Sequence, residues 1–148
     1  MENNSHKTSS INDCKIYTFD THHHENGNLS VVENGQSDFP FDVKRVYYIY
    51  DVPGGAERGG HSHYNCHRFI IAVSGSFDVV LDDGKSKTTV TLNRSNKGLH
   101  IIPGIWIELN NFSSGSVCLS LASDYYDEKD YVRDYKEFIN LTKDKEQK

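Results

Sequence analysis

Short runs rich in β-branched and aromatic residues, each closed by a turn signal, recur every 8 to 14 residues along this chain. They are KIYTF, NLSVV, VKRVYYIYDV, HRFIIAVSG, SFDVVL, KTTVTL, GLHII, IWIEL and VCLSLAS. Such spacing is that of an antiparallel sandwich or barrel. The Asp-Gly of DDGK (82–85) supplies the positive φ of a tight hairpin, and PGG (53–55) and PG (103–104) mark further turns. The tail differs. In DEKDYVRDYKEFINL, from Asp127, Tyr131, Tyr135, Phe138 and Ile139 recur at helical spacing, with Asp127 placed to cap the start. The expectation is an all-β fold, a small antiparallel β-barrel with a C-terminal α-helix laid against it.

A chain of 148 residues suits one domain with a real core, and it carries no internal repeat or low-complexity linker. Residues 1–13 are polar and expected to form a flexible tail, leaving 14–148 as the domain. The net charge of -5, with no Lys/Arg block, gives no footprint for nucleic acid. No apolar run is long enough to span a bilayer, and MENNSHKTSS lacks the apolar centre of a secretory signal. A soluble, cytoplasmic protein is expected. Cys14, Cys66 and Cys118 are odd in number and widely spaced, which argues against a disulfide framework or a paired-cysteine zinc site. They are expected to be apolar filler. The triple His22-His23-His24 is read as an exposed turn.

Chemistry concentrates in RGGHSHYNCHRF (58–69), where His61, His63 and His67 fall within seven positions. On a strand, alternate side chains share a face, so His61 and His63 project together. Two imidazoles aimed into a barrel form either two corners of a metal site or a general acid/base pair. Cupin-type barrels build a metal site from a glycine, HxH, a Glu, a second glycine and a later-strand His. Gly59, His61, His63 and Gly75 fit that pattern. At the Glu position, however, stand His67 or Arg68, and where the later His belongs, after Gly98 and Pro103-Gly104, stands Ile107. A three-His metal site therefore requires His67 to face inward. The alternative is metal-free proton transfer, since a neutral imidazole can take up and return a proton at working pH.

FPFDVKRVYYIYDVP, ERGGHSH, GSFDVVLDDG, IPGIW and NFSSGSVCLSLASDYYDEKDYVRDY, in that order, resemble the sugar 3,4-ketoisomerases that act on dTDP-4-keto-6-deoxyglucose and the C-terminal domains of WxcM-like proteins. The resemblance covers roughly residues 15 to 139. It implies a cupin-like jelly-roll barrel, a homodimer, no metal and no other cofactor. The implied activity moves the keto group of the dTDP-linked 4-keto-6-deoxy sugar from C4 to C3. Its product would feed PLP-dependent 3-aminotransferases making amino sugars for surface glycans. On this resemblance His61 and His63 carry the proton chemistry, His63 as leading base and His61 as acid partner or positioner, with the roles open to exchange. Arg58 maps to a substrate-side arginine. Tyr47, with Arg45 on the same strand face, maps to the tyrosine-rich strand, where a basic group suits the diphosphate. Tyr47 or Arg58 would steady the enolate oxygen. Trp106, Glu108, His67 and Arg68 complete the expected substrate-binding set, Trp106 either lining the cavity or filling the core.

The chain departs from this pattern close to the histidines. HSH followed by Tyr64 stands for the usual HAH-Lys, and His67-Arg68 stand for Glu/Gln and Gln. Ile107 and Glu108 follow the tryptophan in place of His or Arg, and THHHENGNLS lacks the arginine of D-x-R-G-S-L. These changes bear on specificity more than on fold. Two other readings stand beside the isomerase. One is a metal-dependent cupin oxygenase using His61, His63 and His67, and the other a sugar-nucleotide-binding cupin without catalysis.

Overall fold

The computed structural model describes residues 9–36 and 38–147, with side chains described as far as residue 144. Twelve strands among these residues form two five-stranded antiparallel sheets and a two-stranded hairpin. The strands are β1 (Ile16–Thr18), β2 (His22–His24), β3 (Gly27–Leu29), β4 (Arg45–Ile49), β5 (Arg58–His63) and β6 (Arg68–Ser74), followed by β7 (Phe77–Asp82), β8 (Lys87–Leu92), β9 (Lys97–Ile101), β10 (Trp106–Asn110), β11 (Val117–Ala122) and β12 (Tyr131–Val132). One sheet runs β1-β9-β6-β11-β4, the other β12-β5-β10-β7-β8, and β2 pairs with β3. This is the all-β, cupin-like arrangement expected. The DDGK hairpin joins β7 to β8, with Gly84 at φ 91° and the Asp83 carboxylate accepting from the Lys85 and Ser86 amides.

Alternation along the strands divides the interior into three apolar clusters. The largest lies between the sheets and takes Ile70 and Ala72 from β6, Val79 and Leu81 from β7, Leu99 and Ile101 from β9, Ile107 and Leu109 from β10, and Cys118 from β11. The opposite parity of β6 and β11, Phe69, Ile71 and Leu121, packs under the segment carrying Phe19, Phe39 and Phe41. On the outside of the second sheet, Trp106 packs with Val132 and Phe138. Gly98 lies beneath the Phe69 ring, where a Cβ would collide with the aromatic edge.

The tail differs from expectation. The helix α1 spans Tyr135–Gln147, with the Asp134 carboxylate accepting from the Lys136 amide at its start. Asp127 instead caps a short 3-10 turn, Glu128–Asp130, and Tyr131–Val132 form β12 against His63 and Ser62 of β5. A helix from Asp127 would forfeit that pairing and the contact of Asp130 with His63. The N-terminal expectation also shifts. Residues 1–8 lie outside the described residues, but Ser9 donates to the Pro103 carbonyl, and Ile11 packs on the inter-sheet core within a 3-10 turn, Ile11–Asp13. The three histidines at 22–24 form an exposed hairpin strand rather than a turn.

His67 and His100 meet beneath this outer layer, Nδ1 to Nε2 at 2.9 Å, beside Tyr17 and Phe41. Burial lowers both, His100 to about 4 with His67 adding to the effect, while Asp124 favours the charged form of His67. In the unfolded chain these groups take protons near their ordinary value of 6.5. Stability is therefore full above that value and falls as pH drops from it toward 4, by up to about 1.4 kcal/mol per pH unit for His100. Urea unfolding across this window should show the loss, and His100→Gln, which still offers His67 a hydrogen-bond partner but does not titrate, should flatten it. An unchanged slope in the variant would contradict this source of acid sensitivity.

Candidate active site

Between the sheets, the apolar core gives way at one end to polar side chains on the same inward parity: Arg45 and Tyr47 of β4, His61 and His63 of β5, Arg68 of β6 and Ser120 of β11. Of these, Tyr47, His61 and Ser120 line a cavity of about 470 Å³ together with Arg58, Tyr131 and Arg133, over an apolar floor that includes Ile70 and Ile107. Gly59 sits opposite a bulge between Ile107 and Glu108, and its φ of 89° and 3.1 Å clearance from the Ile107 carbonyl leave no room for a side chain. That bulge sets the approach of β5 to β10 just ahead of the histidines.

The two imidazoles face each other edge-on, centroids 5.2 Å apart. Asp130 lies behind His63, with Oδ2 2.9 Å from Nδ1. An ionised carboxylate only accepts, so Nδ1 carries the proton and the lone pair of His63 is on Nε2. That Nε2 is buried and without a partner. His61 is held differently. Its Nε2 lies 3.3 Å from Nη1 of Arg68, which can only donate, so the proton of the neutral ring is on Nδ1. Burial first, then the Arg68 charge, lowers His61 to about 3. Burial and the guanidiniums of Arg68, Arg45 and Arg133 likewise depress His63. Asp130 acts in the opposite sense, one carboxylate against desolvation and three cations. Both rings are neutral at neutral pH.

Tyr131 covers the pair, its ring centroid 4.3 Å from that of His63 and 5.1 Å from that of His61. Arg133 stacks 4.2 Å from the Tyr131 ring and is itself held by Glu128 at 2.8 and 3.0 Å. Among the described residues the buried side-chain polar atoms without a partner are Arg45 Nε, His63 Nε2, Arg68 Nε and Ser120 Oγ. All four belong to this one inward-facing set. Buried polar groups ordinarily find partners, so their concentration here marks a place built to receive a polar molecule.

The structure thus brings together His61, His63, Arg45, Tyr47 and Arg58. The other four expected substrate contacts do not line the cavity. Trp106 lies on the outer parity of β10, packed on Tyr135 and Phe138, and donates from Nε1 to Glu108, which shares that face. His67 sits in the bend between β5 and β6, where the alternation expected to carry it inward is broken, and it pairs with His100. Arg68 enters the site from beneath, fully buried, and touches His61 rather than the cavity. The oxygenase reading needs His67 beside His61 and His63. Among the described residues, the side chains whose potential ligand atoms cluster are instead His63, Cys66 and Asp130, and the Asp130 carboxylate is already shared with the Asn65 and Cys66 amides.

Sequence reasoning missed Asp130, Tyr131 and Arg133, because their segment reads as helix. It also missed Ser120, although a serine on the inward parity of the apolar run VCLSLAS was a usable signal.

Residues 12–143 match the family model FdtA: WxcM-like, C-terminal. The chain belongs to this family. A TDP-4-oxo-6-deoxy-alpha-D-glucose-3,4-oxoisomerase of Aneurinibacillus thermoaerophilus is 42% identical over 124 residues, covering 80% of this chain and 88% of that relative. A 3,4-ketoisomerase from Helicobacter canadensis superposes with a TM-score of 0.85 at 42% identity, over 88% of this chain and 98% of that one. A mutant of the 3,4-ketoisomerase QdtA from Thermoanaerobacterium thermosaccharolyticum, solved in complex with TDP-4-keto-6-deoxyglucose, gives 0.87 at 37% identity, over 91% and 97%. In this FdtA-like chain the Asp130 carboxylate fixes both the tautomer of His63 and the loop beside it. Asp130→Asn turns an amide N–H₂ either toward His63 Nδ1 and the Cys66 amide or toward the Asn65 amide. Turnover should then fall on the order of 10²-fold with little change in KM, because substrate contacts are untouched. A rise in KM together with the fall in kcat, with altered circular dichroism, would mean that Asp130 serves the fold alone.

Proposed function

We propose that this protein is a sugar-nucleotide 3,4-ketoisomerase acting on a dTDP-linked 4-keto-6-deoxyglucose. The observation that carries the chemistry is the unpartnered, unprotonated Nε2 of buried His63, backed by Asp130. The C4 ketone acidifies the proton on C3. His63 Nε2 takes that proton, and the C3–H electrons form the C3–C4 double bond of an enediolate while charge moves to the C4 oxygen. The 3-hydroxyl then passes its proton to the C4 oxygen as the C3 carbonyl forms, and the double-bond electrons take up at C4 the proton returned by the His63 imidazolium. The atoms balance with no external oxidant. Tyr131 shields His63 from bulk water, so the sugar displaces that ring to reach Nε2. Arg58 and Tyr47, at the cavity wall, are in reach of the diphosphate and sugar oxygens, and Arg45 adds positive charge behind Tyr47.

Incubation with dTDP-4-keto-6-deoxyglucose in heavy water should give deuterium at the exchanging carbons and a 3-keto product by NMR. His63→Asn should abolish both while still binding dTDP. A folded wild-type protein that binds dTDP without exchange would instead be a non-catalytic sugar-nucleotide binder.

The chain from residue 14 onward acts as one catalytic unit, working as a cytoplasmic homodimer. Among the described residues no helix is long and apolar enough to cross a membrane. The dimer reading is supported by β4, an edge strand that exposes Val46 and Tyr48 with Tyr50 beside it. An open edge with such side chains is a pairing surface. Sedimentation at micromolar concentration should give twice the chain mass, reduced to the monomer by Val46→Glu with Tyr50→Glu. A monomeric wild type would overturn the dimer.

A further inference from the structure

Arg68 is the largest fully buried side chain in the described protein, and it has no carboxylate partner. Its Nη2 donates to the Ile105 carbonyl at 3.2 Å, its Nη1 meets His61 Nε2 at 3.3 Å, and its Nε has no partner. A sealed, half-satisfied guanidinium is costly, and the neighbouring Ile70 and Ile105 show that apolar filler suits this depth. Packing alone does not account for a cation here. The contact it makes does.

We infer that Arg68 is a positioning residue that decides which of the two histidines is the base. By donating to His61 Nε2 it occupies that ring's lone pair, which leaves the proton of the neutral imidazole on Nδ1. His61 is then a fixed, neutral wall of the cavity, and the lone pair left for proton abstraction is that of His63. This rests on the isomerase reading for its catalytic meaning, but not for its structural content. The positive charge also opposes protonation of both rings. The other ionisable groups about them are accounted for. Arg133 and Arg45 oppose protonation, and Glu128, Asp130 and the phenols of Tyr131 and Tyr47 lie at the rim or behind. Cys14 and Cys66 also lie near Arg68.

The test is histidine-selective ¹⁵N NMR of the substrate-free protein, paired with the pH dependence of kcat/KM, for the wild type, Arg68→Met and Arg68→Lys. The wild type should show His61 as the Nδ1–H tautomer with no titration from ~pH 8 to ~pH 5. Arg68→Met keeps the stem without the donors and should fold at least as stably. In it His61 should lose that fixed tautomer and titrate at least about one pH unit higher. The acid limb of kcat/KM should move up by a similar amount, because a base whose pKa rises is protonated sooner as pH falls. Arg68→Lys should restore most of both. A wild-type His61 with its proton on Nε2, or an Arg68→Met protein with unchanged His61 titration and acid limb, overturns the inference. Since the tautomer is read without substrate, an inactive wild type would sink the isomerase reading while leaving the Arg68–His61 contact separately tested.

Discussion

One carboxylate holds the functional end of this molecule together. Asp130 accepts from His63 Nδ1 and from the amides of Asn65 and Cys66. It thereby ties the end of β5, the bend that follows and the segment leading into β12 to a single point. Without it, β12 has only a two-residue pairing with β5, the imidazole of His63 is free to rotate, and the bend between β5 and β6 has two unpaired amides. Because hydrogen bonds to an ionised acceptor are the stronger ones, this junction is both the local keystone of the fold and the reason the His63 lone pair is on Nε2.

Around that point the same inter-sheet space does two jobs. Toward β7, β8 and β9 it is filled by apolar side chains. Toward β4, β5 and the inward side of β11 it carries Arg45, Tyr47, His61, His63, Arg68 and Ser120, with four of their polar atoms unpartnered. Two neutral histidines survive there because burial and a surplus of guanidiniums disfavour their cations. The outcome is a chamber bordered by guanidinium groups and neutral imidazoles, suited to an anionic nucleotide sugar and to an enediolate formed from it.

Much of the strand order was legible because period-two alternation and Asp-Gly or Pro-Gly turns are local signals. The runs read as KTTVTL and HRFIIAVSG became β8 and β6 almost residue for residue. The tail was misread for a physical reason. DEKDYVRDYKEF carries helical spacing throughout, and only the non-local ladder of Tyr131 and Val132 with His63 and Ser62 separates strand from helix. His67 failed in the same way. Its parity with His61 and His63 holds only if the strand continues, and the Asp130-anchored bend interrupts it.

The sequence by itself determined the all-β class, the pairing of His61 with His63 on one face, and the family, since these follow from spacing and from motifs contiguous in the chain. Tertiary structure alone decided what each ring can do. Which nitrogen of His63 is free depends on Asp130, sixty-seven positions away, and which of His61 is engaged depends on Arg68 across the sheet gap. A tautomer is set by the partner of the other nitrogen, and that partner is brought up by folding rather than by adjacency.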